Sequence, residues 1–407
     1  MRPQVSVIVP VFNGSRFIPS LIETVRAQTM TNWELIIVDD GSTDDLSATL
    51  AQAPPDARRH LVRQSNLGLA GARNRGLAEA RSNLAAFLDV DDGWQPTYLT
   101  SMCAALDQSP QAVAAFCGWQ YTDAAGRPMP QTVLLSAAEG NRLADDLAWR
   151  NSLVPSGVVA RRQAVLDVGG FDASMQGVED WDVWLRLIAS GPFVGVPKVL
   201  TWYRAHAHSM TENVLSMERG RLRLHAKHLG ALDGPPADWP SARRRAVGQT
   251  YFNTALGLWW QNDEAGGRER IRRAVAFWPG LLALDEFYYE LGCAKQPRGL
   301  RGAAHGLDLR ESEALIRAVL SDREAPAGEQ AARAHWGQAW LVLARLARNT
   351  DQWPACRRYA LRALLSGSGR GRQEAARLLA RSLAPAALVS ALRPERPPLG
   401  TPAPPRL

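Results

Sequence analysis

Residues 87–94 read F-L-D-V-D-D-G-W. Phe87 and Leu88 close an apolar run, Leu84 to Leu88, with the length and composition of a short buried strand. Three carboxylates follow within four residues: Asp89, Asp91 and Asp92. Strand alternation would set Asp89 and Asp91 on one face and turn Val90 to the core. Acids this crowded repel one another unless a cation lies among them. Mg²⁺ or Mn²⁺ with bound phosphates is the usual reason to tolerate them, because these ions favour carboxylate and phosphate oxygens. The plainer reading is an acidic turn, with Asp92 or Gly93 capping a helix ahead of Trp94 and Pro96. The surrounding chain has to decide.

Toward the N-terminus, Val5 to Val9 is a β-branched apolar run stopped by Pro10, and Asn13-Gly14 makes a turn. Phe17, Leu21, Ile22 and Val25 then recur at helical spacing, and a second buried strand, Leu35 to Val38, runs into Asp39-Asp40-Gly41-Ser42. Strand, helix and strand with continuously apolar strands indicate a βαβ unit in a parallel sheet. Ligands of such sheets sit at the carboxyl ends of strands, here Pro10 to Asn13 and Asp39 to Ser42. The chain lacks G-x-G-x-x-G after its first strand and lacks G-x-x-x-x-G-K-[ST], which excludes a dehydrogenase-type dinucleotide fold and a P-loop ATPase. Residues 66–76, N-L-G-L-A-G-A-R-N-R-G, lead into a helix over Ala70 to Ala80 carrying Arg73. That helix start and Arg73 could bind a diphosphate, or Arg73 could sit on an ordinary amphipathic surface.

Beyond the acidic run, Ala114 to Trp119 reads as a strand and Thr122 to Gly126 as a turn. Residues 168–187 read V-G-G-F-D-A-S-M-Q-G-V-E-D-W-D-V-W-L-R-L, a glycine-rich loop and then a helix opened by Glu179-Asp180. The expected apolar face is Trp181, Trp184, Leu185 and Ile188; Glu179, Asp180 and Asp182 would complement the helix dipole. A strand around Phe193 to Pro197 precedes Y-R-A-H-A-H-S-M-T, residues 203–211.

In order and spacing, V-S-V-I-V-P-V-F-N, L-I-I-V-D-D-G-S-T-D, N-L-G-L-A-G-A-R-N-R-G and F-L-D-V-D-D resemble family 2 glycosyltransferases. These are inverting, metal-dependent enzymes of the GT-A fold that use nucleotide-diphospho-sugars. The resemblance covers about Val5 to Thr211 and implies an α/β fold with a mostly parallel sheet flanked by helices. It implies that Pro10 and Phe12 line the base and ribose, that Asp40 meets the nucleobase and that Arg73 lies nearby. It gathers Asp89, Asp91 and His206 around Mn²⁺ or Mg²⁺ against the donor diphosphate. The glycine-glycine-phenylalanine loop and the Glu179-Asp180 pair resemble the family's own, and the base that takes the acceptor proton is then Asp180, with Glu179 on the donor. His206 and Ser209 match the Tyr-Arg-x-His-x-x-Ser segment; His208 is a second imidazole that an extended segment could place on the same face. Thr211, where the family often has Ser, is the one departure.

From about Val214 the strand signals stop, and Arg, Ala and Leu recur at helical spacing. Ala246 to Pro279 and Ala334 to Ser366 resemble tetratricopeptide helix-turn-helix units. The expected organisation is therefore a catalytic domain over 1–213, an all-α region over 214–393 and a disordered Pro-rich tail over 394–407. Ala384 to Leu392 reads as a short apolar helix.

The chain's net charge of +7 divides into −5 up to Glu212 and +12 from Asn213 onward. The basic half could meet a membrane surface or an acidic protein, although solvated helix faces are the commoner use of such charge. Four widely spaced cysteines argue against a structural zinc site and a disulfide framework. No stretch has the roughly 18 apolar residues of a membrane span, and the N-terminus shows no signal-peptide pattern. The expected location is the cytoplasm, with any membrane contact peripheral at its inner face. The expected activity moves a sugar to a hydroxyl of a glycan or lipid-linked acceptor in cell-surface polysaccharide or lipopolysaccharide assembly; no nucleic acid is expected. The rival readings are a sugar nucleotidyltransferase and a helical-repeat adaptor with an inactive catalytic half.

Overall fold

The computed structural model describes residues 2–134, 143–206, 209–233, 236–297, 299–321, 329–366 and 369–383. His208, the Ala384 to Leu392 segment and the 394–407 tail lie outside them. The described residues form two compact units: the chain to Thr211 with Arg219–His228, and Glu212–Glu218 with the chain from Leu229.

The first unit is built on one mixed sheet. β1 (Val5–Val11), β2 (Trp33–Asp39), β3 (Arg59–Arg63) and β4 (Leu84–Phe87) run parallel in the order β3-β2-β1-β4. Every residue of β1 and β2 is buried, which explains the continuous apolar runs Val7–Val9 and Leu35–Val38 within them. The sheet continues through β8 (Val158–Arg161), β6 (Ala114–Thr122), β9 (Phe193–Arg204) and the two-residue β5 (Gly93–Trp94). β7 (Pro128–Val133) pairs with β6 antiparallel. Helices α1 (Ile18–Arg26), α2 (Leu46–Gln52), α3 (Gly68–Glu79) and α4 (Tyr98–Gln108) connect the first strands. Later come α5 (Leu143–Leu147), α6 (Arg162–Asp167) and α7 (Glu179–Ser190). The expected α/β class is the observed one.

Two prolines thought to end strands lie inside them. Pro10 pairs with Val38 within β1. Pairing with β4 ends at Ile8, so beyond it β1 has a ladder on one side only, where a residue without N–H is tolerated. Pro197 lies where the β6–β9 register jumps from Val196 to Val199, an irregularity that absorbs the missing donor.

The second unit is helical. α8 (Val214–Leu229) is shared between the units, and α9 (Ser241–Trp260) with α10 (Glu264–Phe277) forms a hairpin turned at Asn262, φ 64°. α11 (Asp285–Gly292), α12 (Leu309–Leu320), α13 (Glu329–Asn349), α14 (Trp353–Ser366) and α15 (Gly369–Leu383) follow. α13 and α14 make a second hairpin turned at Asp351, φ 58°. Asn and Asp are the side chains that tolerate this left-handed conformation. The helical character expected of this region is present.

Candidate functional site

The acids of 89–92 do not alternate along a strand. β4 ends at Phe87, and the Asp92 N–H donates to the Asp89 carbonyl at 3.0 Å, so they occupy a tight turn at its carboxyl end. Each carboxylate has its own surroundings. Asp89 Oδ1 accepts from Arg73 Nη2 at 2.7 Å, and Asp91 Oδ2 lies 2.8 Å from His206 Nε2. Asp92 points inward, accepting from the Ser156 hydroxyl at 2.6 Å and the Arg204 N–H at 3.0 Å. It therefore shapes the turn; the helix-capping reading of Asp92 does not hold, since α4 starts later, at Tyr98. Burial, then the charges of Asp91 and Asp89, pushes the Asp92 carboxyl well above the usual range. Burial also raises Asp89, against the pull of Arg73.

Arg73 joins the two halves of the site. It is 1% exposed, and its Nη1 donates to Glu179 Oε1 at 2.8 Å while Nη2 holds Asp89. One planar fork thus ties the acidic turn to the first residue of α7. Burial works against the guanidinium charge, but Asp89, Glu179 and Asp180 outweigh it and raise Arg73 further. α3 can place Arg73 this deep because Gly76 lies directly on β1: a Cβ there would meet Ile8 Cγ2.

Asp180 stands beside Glu179 and accepts from Asn151 Nδ2 at 2.9 Å. Burial, then the charge of Glu179, pushes its carboxyl up to about 7, with Arg73 opposing. A carboxyl there has the proton affinity of a general base at neutral pH.

Asp182 lies in the first turn of α7, as the dipole reading expects, but is also tied into an ion cluster. It is fully buried, its Oδ1 2.8 Å from both His228 Nε2 and Lys227 Nζ and its Oδ2 accepting from Arg186 Nη2 at 2.5 Å. These partners outweigh burial and hold its carboxyl far below the usual range. The buried face of α7 carries Trp181, Val183, Trp184 and Leu187; Leu185 and Ile188 are only partly covered.

At the carboxyl ends of β1 and β2, Phe12 is 52% exposed while Pro10 is buried. Asp40 accepts from Gln64 Nε2 at 2.7 Å and Leu67 N–H at 2.8 Å, both on Oδ1. Asn13, with φ 52°, accepts the Thr43 N–H at 2.8 Å and joins the two strand-end loops. The structure thus brings Arg73, Asp89, Glu179 and Asp180 together and pairs Asp91 with His206; Phe12 and Asp40 belong to the neighbouring strand ends.

Several positioning residues escape sequence reading. Ser156 accepts the Asp89 N–H at 3.1 Å, and its carbonyl accepts the Trp94 indole N–H at 2.6 Å. The Asn74 amide clamps Phe171, donating to its carbonyl at 2.7 Å and accepting its N–H at 2.8 Å. Arg204 Nε donates to the Asp91 carbonyl at 2.7 Å, and the Phe17 ring stacks on His206 with centroids 5.3 Å apart. Arg204 and Asn74 adjoin residues already singled out in their motifs; Ser156 carries no such local signal.

The set can be tested against a divalent metal. Among the described residues no three His, Cys, Asp or Glu side chains are placed to hold an ion by themselves. Asp91 and His206 are two donors of suitable type at one point, and Asp89 is two residues away but engaged by Arg73. One or two protein ligands completed by substrate phosphates is a usual Mg²⁺ arrangement, so the residues fit a site finished by its substrate.

Comparison with known proteins places these features in a family. Residues 6–167 match the family model "Glycosyl transferase family 2". A putative teichuronic acid biosynthesis glycosyltransferase, TuaG of Bacillus subtilis, is 31% identical over 218 residues, 52% of this chain and 83% of that protein. The uncharacterized glycosyltransferase alr2836 of Nostoc is 31% identical over 222 residues, 50% of this chain. The chain spans 65% of the length of that Nostoc relative and 29% of the B. subtilis putative glycosyltransferase EpsH. Among solved structures, the mannosyltransferase PcManGT of Pyrobaculum calidifontis with GDP-Man and Mn²⁺ aligns over 90% of this chain and 87% of its own, at 17% identity and TM-score 0.47. S. aureus TarS 1-349 with UDP aligns over 93% and 90%, at 14% identity and TM-score 0.43. On the strength of the family-model match and the TuaG relationship, the chain belongs to glycosyl transferase family 2.

Proposed function

We propose that this protein is an inverting glycosyltransferase that moves a sugar from a nucleotide-diphospho-sugar to an acceptor hydroxyl, with Asp180 as the base. The observation that carries the reading is the Asp89–Arg73–Glu179 chain, which holds the acidic turn and the α7 start on one buried guanidinium, next to a carboxyl raised to about 7. Phe12 offers an exposed ring to the base, Pro10 shapes the wall behind it, and Asp40 meets the nucleobase edge. Asp91 and His206, with Asp89 behind them, would hold Mn²⁺ or Mg²⁺. Such an ion, when bound, neutralises charge on the departing diphosphate. Glu179 and Asp89 lie on the donor side, oriented by Arg73. Asp180 takes the proton of the attacking hydroxyl, with the Asn151 amide holding its Oδ2. A single displacement from the face opposite the leaving group inverts the anomeric centre.

The named relatives point to cell-surface polysaccharide assembly and a glycan or lipid-linked acceptor, since TuaG is named for teichuronic acid biosynthesis. A cytoplasmic setting, with peripheral contact at the inner membrane face, suits that role. Among the described residues no helix is long and apolar enough to cross a membrane. The reading is tested by NMR of the sugar first released from an anomerically pure donor supplied with Mn²⁺. The expected product has the opposite anomeric configuration; a retained configuration would overturn single displacement.

A further inference from the structure

The second unit contains a charged cluster apart from the residues assigned above to sugar transfer. α12 and α14 border a groove of about 340 Å³ lined by Arg310, Glu313, Ala314, Arg317, Arg358 and Arg362. Four arginines and one carboxylate line it, leaving three formal positive charges on the lining. Glu313 is already engaged: Oε1 accepts from Arg317 Nη2 at 2.8 Å and Arg362 Nη1 at 2.7 Å, and Oε2 accepts from the Tyr359 hydroxyl at 2.9 Å. Arg358 stands 3.9 Å from the same carboxylate.

An aromatic stack steadies the arginines. Trp336 stacks on Trp340 at 5.2 Å, and Trp340 on Tyr359 at 5.9 Å with planes 8° apart. The Arg317 and Arg362 guanidiniums lie 4.9 and 4.8 Å from the Trp340 ring centroid. Stacking fixes these forks before any ligand arrives, so less side-chain freedom is lost on binding. Arg317, Arg358 and Arg362 are half-exposed, but they come from two helices and share one carboxylate that orders them.

We propose that this groove binds a phosphate-class anion, a diphosphate or a phosphate ester, through the Arg310 guanidinium and those N–H groups of Arg317, Arg358 and Arg362 that Glu313 and Tyr359 do not engage. Planar guanidinium pairs match phosphate oxygens, and the groove has room for such a group. The anion's source is either the headgroup of an anionic lipid or a soluble phosphate-bearing molecule. The test uses the full chain with EDTA, so that the metal-dependent donor site is silent. Calorimetry with inorganic pyrophosphate compares the wild type with the doubly substituted Arg310→Gln, Arg358→Gln protein, and with Arg362→Lys as a second variant that keeps the charge but loses the fork.

The expected result is wild-type binding, weaker by about tenfold or more in the double variant at unchanged melting temperature, with Arg362→Lys between them. If the double variant fails to fold, weakened binding by Arg362→Lys carries the test. Sedimentation with phosphatidylglycerol and phosphatidylcholine vesicles identifies the source. Pelleting with phosphatidylglycerol alone, lost in the variants, assigns a lipid headgroup. No pelleting beside variant-sensitive pyrophosphate binding assigns a soluble phosphate. Wild-type and variant proteins that bind pyrophosphate equally, or a wild type that does not bind it, overturn the proposal.

Discussion

Asp180 and Arg73 carry separable burdens. Replacing Asp180 by Asn keeps the shape and the contact to Asn151 but removes the proposed base, so transfer should fall by roughly 10²- to 10⁴-fold with donor affinity nearly unchanged. Loss of donor affinity at normal turnover would contradict the assignment. With the carboxyl at about 7, wild-type kcat/KM should rise as pH climbs through neutrality. Stability moves the other way. The folded value lies above the ordinary 3.8, so the contribution of the protonated carboxyl is full below about pH 4 and is lost as pH rises through about 7. Urea titrations should therefore find Asp180→Asn gaining on the wild type across that window and level above it. Arg73→Met leaves Glu179 buried without its partner, and should cost about 3 kcal/mol or more in the same titrations. These two residues were legible because each lies in a compact motif. Ser156 was not: it meets Asp92 from 64 positions away, and a contact of that range leaves no local pattern.

At the scale of elements, α3 reaches the site only because it packs flush against β1. Gly76→Ala would force a methyl into Ile8, a branched side chain fixed in the strand, and should destabilise the first unit by about 1–3 kcal/mol. A midpoint in urea unchanged from wild type would show that the strand gives way freely. The strands built on apolar runs, β1, β2 and β4, were readable outright. β3 was not, because Arg59–Arg63 is half exposed and carries charge at both ends. β7 begins at a proline on the edge of the sheet, and β8 has only four residues, so neither offers a period long enough to register. The strand logic also failed at Asp89, where a hydrogen-bonded turn replaced the expected alternation; the crowding of the acids was legible but their geometry was not.

For the whole molecule, each unit has a buried interior of its own, and the proposed chemistry lies in the first. The helical region was legible as a class because Arg, Ala and Leu recur at helical spacing throughout. Its Arg-lined groove was not, since Glu313 and Arg362 converge only once α12 and α14 pack together. The most direct test of the account is calorimetry of UDP, GDP, dTDP and CDP against the wild type, Asp91→Asn and Asp180→Asn, each with and without Mn²⁺. The expected result is that one nucleotide binds the wild type only with Mn²⁺, that Asp91→Asn loses this binding and that Asp180→Asn keeps it. Metal-independent binding that survives Asp91→Asn, or no binding of any of the four, would contradict it.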